Sequence, residues 1–474
     1  MSTQTSTLAA GVAPLRATRP LPFRLIPRIE TYPSVVSFAQ TVPGKLILLA
    51  LFGLVFGSLH WSGLPLILCL ALTTWMPHHR HALVAVSTII FTVLVPWTEF
   101  RHPVYTVTLI TLALTVAMLL ILSAAAWPRS WYGRRPAACL LTGFAGWIVV
   151  VSFWPRDAGA YRMVWDFTAV FGAYTWFIAY ALLDRQAPPD EFSLKLGSLY
   201  PFWGSTHTPL PSGSAYLRAV EAKDSDQLAV VQLKGLKLLA WATLISLFSQ
   251  ACTRVFHGYL AIPTFEQVLS LSAQHMPLPW FVCWASVILH FFENIMEGAI
   301  LGHRIIACCR MAGFDALRNM YRPLSSVTIA EFFNRYYYYF KELLVTFFFF
   351  PAFFKQSPRF PRLRLAIAIF AAACFGNAFY HFTRDLGYIQ ELGLWAALKS
   401  FQVFLFYCVV LATAITVSRL RRRNPAPSGF FRGTLCPAFS VCFFYCLLNI
   451  FTSTDRSYPL LEHLRFLGHL FFLN

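Results

Sequence analysis

Hydrophobic and polar positions in this chain alternate in long blocks. A transmembrane helix needs about 20 mostly apolar residues, because each residue adds about 1.5 Å and the hydrocarbon core is about 30 Å thick. The apolar runs that approach or reach this length are 46–60, 63–76, 82–97, 104–127, 138–154, 164–183, 236–252, 280–308, 343–354, 365–382, 395–417 and 430–451. Several are short, so the pattern predicts an all-α integral membrane protein with roughly 10–12 transmembrane or re-entrant helices.

The composition of the 474-residue chain leads to the same class. Hydrophobic residues make up 57% of the chain and charged residues only 12%. Soluble domains carry about a quarter charged residues. A chain so poor in charge cannot cover a water-exposed surface with polar groups, so most of its surface must face lipid.

The formal net charge of +18 indicates a membrane surface rather than a nucleic-acid partner. Arg and Lys concentrate between the apolar runs, for example at 129–135, 359–364 and 419–423. Positive residues collect in this way in cytoplasmic loops and beside anionic lipids. No DNA-reading motif accompanies them in the sequence, so we expect no nucleic-acid partner.

The N-terminal stretch and the cysteines bear on topology and metal binding. The basic residues from Arg16 to Lys45 precede a first apolar run that starts too late for a cleavable signal peptide, which predicts a cytoplasmic N-terminus and an uncleaved first span. The 11 cysteines lie mostly inside apolar runs and lack the spacing of a zinc site. This predicts buried small side chains and no metal site.

Four zones follow from the same pattern. They are a basic N-terminal cytoplasmic segment (1–45), an N-terminal transmembrane scaffold (46–184), a polar loop (185–235) and a C-terminal transmembrane core (236–474). Ionisable groups at membrane depth are costly and usually mark function or internal pairing. They concentrate in the last zone, where we therefore expect the chemistry.

One candidate site lies at the end of an apolar run. Asn377, His381 and Asp385 recur at a spacing of four residues, which places them along one face of a helix. A histidine there can take a proton from a hydroxyl group near neutral pH, and a carboxylate can orient its ring. The alternative is a structural histidine, hydrogen-bonded at the membrane boundary within a helix bundle.

A second group is His290, Glu293, Asn294 and Glu297, which also share a helix face by spacing. Glu-x-x-His patterns bind metal pairs in bundles only when another helix carries a second copy, and the sequence has none. We interpret the group as a polar cavity wall, with His290 and Glu293 in contact with substrate, or as a paired structural network.

The third group runs from Glu331 to Glu342 and is dominated by consecutive aromatic residues. It predicts an amphipathic or interfacial helix whose tyrosines lie at the level of the lipid headgroups. Arg335 can hold a phosphate or carboxylate of a substrate. An aromatic belt with cations reaching toward water is the alternative.

These segments, taken in order, resemble the membrane-bound O-acyltransferase family, nearest to the bacterial branch that acylates surface polysaccharides. The resemblance covers roughly residues 195–390. It lies in the aromatic–Pro–Gly loop 200–213, the Gly/Lys segment 232–241, a long motif from Gly298 through Asn319 to Tyr337, and the helix 375–381 with its histidine.

The resemblance implies transfer of an acyl group, acetyl or longer, from a thioester donor to a hydroxyl of a surface glycan or lipid-linked acceptor. His381 would act as the base, and Asn334 or Asn377 would stabilise the oxyanion. Two positions depart from the family: Tyr337 stands where a His or Asn is usual, and Phe382 where a Gly is common. Substrate contacts are expected from Arg335, Tyr337, His290, Glu293 and Asp385.

The implied co-substrate is acyl-CoA or an acyl-carrier protein, with no bound cofactor. The implied partners are the lipid bilayer and a possible periplasmic protein, and the implied location is the bacterial inner membrane.

One alternative is a catalytically inactive relative that serves as a transporter or scaffold subunit for envelope polysaccharide, which Tyr337 favours. An unrelated transporter would predict inverted repeats, which are not visible in the sequence.

Overall fold

The computed structural model describes residues 25–472, apart from 58–62, 185–191, 205–207, 277, 357, 422–428, 430, 453–455 and the side chains of Thr98 and Glu99. About half of the predicted N-terminal segment, residues 1–24, therefore lies outside the described residues, as does part of the loop 200–213. Every regular element within the described residues is a helix, and the one β-bridge joins Glu221 to Phe314. The all-α class is confirmed.

The helices of the first half contain no π-helical turn within the described residues. They are α1 (Pro33–Gln40), α2 (Val42–Gly57), α3 (Gly63–Trp75), α4 (Arg80–Glu99), α5 (Pro103–Ala126), α6 (Trp131–Arg134), α7 (Pro136–Ser152), α8 (Tyr161–Leu183), α9 (Phe192–Gly197) and α10 (Ser214–Ala219). Proline opens α1, α5 and α7, where its missing N–H would have no partner in the helix anyway.

Helices of the second half are more often broken. They are α11 (Ser225–Thr253), α12 (Phe265–Ala273), α13 (Trp280–Met311), α14 (Ile329–Tyr336), α15 (Tyr338–Leu344), α16 (Phe350–Lys355), α17 (Pro361–Phe370), α18 (Asn377–Arg384), α19 (Leu386–Leu392), α20 (Leu394–Ser400), α21 (Gln402–Leu420), α22 (Cys436–Leu448) and α23 (Leu460–Leu470). π-Helical turns lie at Arg254–Tyr259, Val345–Phe349, Ala371–Gly376 and Phe431–Leu435.

Seven helices among the described residues are long and apolar enough to cross a membrane. They are Pro77–Trp97, Pro103–Ala126, Tyr161–Leu183, Ser225–Tyr259, Pro361–Arg384, Gln402–Leu420 and Phe431–Phe451. Helices α1 and α2, bent by 94° at their junction, would make an eighth span if counted together. The protein is an integral membrane protein, but fewer apolar runs than expected form full spans.

The missing spans have physical reasons. The runs in α3 and α7 fold into apolar helices shorter than 18 residues. Helix α13 has 32 residues but carries Glu293, Glu297 and Arg304, and it is not one of the seven. The run 343–354 is divided between α15, a π-helical turn and α16.

The hydrophobic cores cross the zone boundaries drawn from the sequence. One cluster joins α1–α4 to α11 and the C-terminal half of α13, with Phe52, Leu70 and Ile306 fully buried. Another packs α5, α7 and α8 against Leu386 and Ile389 of α19. The first half is therefore packed directly against the elements that carry the candidate site.

Arg80 and Glu221 form a further connection between the halves. Arg80 is 2% exposed and donates to Glu221 at 2.8 Å and to the Ala222 carbonyl at 3.1 Å. Gly313 has a φ of +97°, and a Cβ there would lie 2.7 Å from the guanidinium carbon of Arg80. Glycine is required at this position for both its backbone angle and its lack of a side chain.

Candidate active site

A cavity of about 390 Å³ lies among the helices of the second half. Its walls come from the middle of α13, from α14 and α15, from α18, from the start of α21 and from Asn449, Thr452 and Arg456. This volume falls in the usual range for small-molecule sites, about 300–1,000 Å³. Aromatic rings dominate the lining, and a few polar groups converge between them.

Asn377, His381 and Asp385 all line this cavity, in agreement with their predicted common face. Asn377 begins α18, immediately after the π-helical turn Ala371–Gly376. Turns of this kind are frequent at functional sites because they rotate the following side chains relative to a regular helix. Gly376 makes this packing possible, since a Cβ there would lie 2.5 Å from the Phe348 ring.

Asn377 presents an unusual polar atom. Its side chain is 1% exposed, and its Oδ1 has no hydrogen-bond partner among the described residues. A buried polar atom without a partner costs about 1–3 kcal/mol. Rotation of the amide exchanges its oxygen and nitrogen, so Asn377 can offer either an acceptor or a donor to a molecule in the cavity.

The imidazole of His381 stands among aromatic rings. Its centroid lies 4.3 Å from the ring of Phe404, 5.0 Å from that of Tyr380 and 5.8 Å from that of Phe340. This half-buried environment keeps the ring on the cavity wall. The packing restricts the ring to few orientations, as a base that accepts a proton from a bound hydroxyl requires.

Tyr337 lies at a break in the helix, between α14 and α15, with φ −140° and ψ 76°. Asn319 holds the break open: its carbonyl accepts from Tyr338 N–H at 2.8 Å, and its Oδ1 accepts from Tyr339 N–H at 3.3 Å. Asn319 fits because Gly302 has no Cβ, which would lie 2.8 Å from its amide nitrogen. Tyr337 lines the cavity, and the ring of Phe340 lies 6.3 Å from the ring of Tyr337 and 5.8 Å from that of His381.

Asp385 does not face the cavity as a free carboxylate. Its Oδ1 accepts from Arg384 Nε at 3.1 Å, and its Oδ2 accepts from Arg456 Nη2 at 2.5 Å. Both arginines also line the cavity. The predicted contact of Asp385 with substrate is therefore restricted by two ion pairs.

Asn334 and Arg335 are not among the described residues that line the cavity. Arg335 is 3% exposed, and its guanidinium bonds to Glu331 at 2.6 Å and Ser325 Oγ at 2.7 Å. Asn334 is half-buried on α14 away from the site. Phe332, Phe333 and Tyr336 lie on the face of α14 that lines the cavity, and Asn334 and Arg335 lie on other faces of the same helix.

His290 and Glu293 also lie outside the cavity lining. The ring of His290 stacks on Phe265 at 4.8 Å, and its Nε2 bonds with Asn294 Nδ2 at 3.2 Å. Glu293 is paired with His257 Nε2 at 2.9 Å. One residue step turns a helix by about 100°, so Asn294 faces the cavity while Glu293 faces α11 and its π-helical extension. The paired structural network describes these two residues better.

Several lining groups were not selected from the sequence. Asn294 donates to Asn449 Oδ1 at 3.3 Å, and Asn449 Nδ2 is buried without a partner among the described residues. Tyr380 and Thr208 share a hydrogen bond of 2.6 Å between their hydroxyls. Asn294 belonged to a visible polar group in the sequence, whereas no sequence signal pointed to Asn449.

The described residues contain no group of three or more His, Cys, Asp or Glu side chains that could hold a metal ion. Histidine, amide, hydroxyl, carboxylate and guanidinium groups all line the cavity. No protein-family model matches the chain, and no curated protein matches it either.

Proposed function

We propose that this protein is a membrane-bound O-acyltransferase that moves an acyl group from a thioester to a hydroxyl of a glycan or lipid-linked acceptor. The observation that carries the proposal is the shared cavity of His381 and Asn377, in a membrane protein whose ordered motifs resemble that family. We place the protein in the bacterial inner membrane with a cytoplasmic N-terminus, with acyl-CoA or an acyl-carrier protein as donor and a periplasmic protein as a candidate partner.

The lining residues support a simple sequence of steps. His381 takes the proton of the acceptor hydroxyl as its oxygen attacks the thioester carbonyl, and the carbonyl becomes a tetrahedral oxyanion. Collapse of this intermediate expels the thiolate, which receives the proton from His381, so the products are an ester and a free thiol. General base catalysis of this kind contributes about 10²–10⁴ in rate.

Two groups in the cavity are suited to the oxyanion. The amide of Asn377 has unused hydrogen-bonding capacity, and Tyr337, which carries a hydroxyl, lines the same cavity. Each can donate to a developing negative charge, and one such donor is worth about 10²–10³ in rate. Tyr337 would then replace the His or Asn that the family usually has at this position.

His381→Ala tests the proposal directly. We expect acceptor acylation in membranes to fall by about 10²–10⁴, because the base is removed while the cavity remains. His290→Ala is the matched control, since it removes another histidine from a helix but not from the cavity wall. Full acylation by His381→Ala, at equal protein level, would end the proposal.

A second candidate is an inactive relative that transports or scaffolds envelope polysaccharide, favoured by Tyr337 at the helper position. The two functions differ in their chemical product. Mass spectrometry of surface glycans and lipids from cells with and without the protein separates them. The acyltransferase predicts acyl increments that disappear with the protein, whereas the second candidate predicts changed polysaccharide amounts with unchanged acylation.

A further inference from the structure

The end of the cavity near Asp385 has more cationic than anionic groups. Arg384 and Arg456 both line the cavity, and both pair with the same carboxylate. Glu297, the other acidic residue of the lining, forms no ion pair with either arginine. One guanidinium charge at this end is therefore left without a matching acidic group among the described residues.

Arg456 is held in place more firmly than an ordinary surface arginine. Its side chain is 9% exposed, and its guanidinium carbon lies 4.4 Å from the Tyr388 ring centroid and 5.0 Å from that of Phe401. Its Nη2 donates to Asp385, but its buried Nη1 has no partner among the described residues. A buried donor on a charged group is costly unless a ligand accepts from it.

We propose that this end of the cavity is an anion subsite, in which Arg456 and Arg384 bind a phosphate group of a ligand whose remainder extends toward His381. Guanidinium groups bind phosphate oxygens through short, charge-assisted hydrogen bonds. The aromatic contacts of Arg456 fix its orientation before binding, which reduces the entropy lost when the complex forms. Asp385 shares its oxygens between the two arginines and competes with a bound phosphate for their donors.

The phosphate can come from the donor or from a lipid, and paired probes separate the sources. Coenzyme A is compared with pantetheine, which lacks its phosphates, and dihexanoyl phosphatidic acid with dihexanoylglycerol. Binding is measured by calorimetry on the full chain in a neutral detergent. We expect the phosphate-bearing member of at least one pair to bind about tenfold to a hundredfold more tightly.

Arg456→Gln should remove most of this preference, whereas Arg162→Gln, at a position 88% exposed and outside the cavity, should retain it. Asp385→Asn should tighten phosphate binding about tenfold, because the competing carboxylate loses its charge. His381→Ala should bind phosphate normally, so failure of the subsite is distinguishable from failure of the proposed chemistry.

Two results would overturn the subsite. One is equal binding of both members of each pair by the wild-type protein, and the other is a preference that Arg456→Gln leaves unchanged. If Arg456→Gln does not give a monodisperse protein, Asp385→Asn decides: tighter phosphate binding supports the subsite, and unchanged or weaker binding refutes it.

Discussion

The two halves of this protein place their polar groups in different ways. In the helices from α3 to α8, buried hydroxyls bond to their own helix backbone, as Thr92 does to Thr88 O at 2.8 Å and Thr175 to Phe171 O at 3.0 Å. In the second half, Asn377, Asn449 and Arg456 each leave a buried polar atom without a partner among the described residues, and all three line the cavity. Unpartnered buried atoms of the first half, such as Arg80 Nη2 and Trp165 Nε1, belong to residues outside the cavity lining.

Helix continuity accounts for much of this contrast. A regular helix satisfies its backbone internally and presents side chains at fixed angles, so its apolar faces can be covered by neighbouring helices or lipid. The four π-helical turns of the described chain all lie beyond residue 253. Breaks of this kind rotate polar side chains inward, and no described residue before Thr208 lines the cavity.

The largest effect that would sharpen this comparison concerns Asn377. Asn377→Ala should lower acyl transfer by about 10²–10³ if its amide stabilises the oxyanion, with little loss of stability because its Oδ1 has no protein partner to leave unpaired. Rates in membranes and thermal unfolding in detergent measure the two quantities.

Thr168→Val is the counterpart in the first half. Thr168 Oγ1 donates to Val164 O at 2.6 Å and accepts from Trp147 Nε1 at 3.0 Å. Its replacement should cost about 1–3 kcal/mol of stability, since the indole N–H loses its acceptor, and leave the rate per folded molecule unchanged. Loss of stability for Asn377→Ala with normal rates would reverse the comparison.

An effect of intermediate size on stability is expected when glycines in the two halves are replaced by alanine. Gly376→Ala should destabilise the protein by about 1–3 kcal/mol, because the added Cβ would meet the Phe348 ring at 2.5 Å and displace α18. Gly143→Ala in α7 is the matched change, since a Cβ there meets no atom within 4 Å. It should be neutral or slightly stabilising, by about 1 kcal/mol or less. Equal unfolding temperatures for the two variants would show that close packing does not distinguish the halves.

The smallest effect concerns the contact that joins the halves. Burial alone would raise the pKa of Glu221, but hydrogen bonds and charges from His81 and Arg80 outweigh it and lower that pKa below its ordinary value of 4.5. This pairing stabilises the folded state above the unfolded-chain pKa, and the contribution is lost as pH falls through the lower, folded-state value. In Glu221→Gln, the unfolding temperature should therefore fall less steeply as pH decreases below about 4.5. Thermal scans can measure this dependence.

Exposed Glu391 supplies the control for this prediction, because Glu391→Gln removes a carboxylate that makes no ion pair among the described residues. The unfolding temperature of Glu391→Gln should fall with decreasing pH as that of the wild-type protein does. If the unfolding temperature of Glu221→Gln falls with pH as steeply as that of the wild-type protein, the contact between Arg80 and Glu221 does not contribute to the pH dependence of stability.

Residue order alone determined the membrane class and the face that carries the candidate base. Apolar blocks of about 20 residues leave few solutions other than spanning helices. The spacing of Asn377, His381 and Asp385 survives the π-helical turn because that turn ends before Asn377. Local periodicity was sufficient because one helix carries Asn377 and His381 and ends at Arg384, immediately before Asp385.

Only the tertiary structure decided which groups meet at the cavity. The sequence predicted that Arg335 binds substrate, but Arg335 forms an ion pair with Glu331 instead. Arg456, which lies 71 residues beyond Asp385 in the sequence, forms an ion pair with the Asp385 carboxylate. Such contacts depend on where broken helices turn and which neighbours cover them. Those choices are made by packing between distant segments, and the order of residues within any one segment does not encode them.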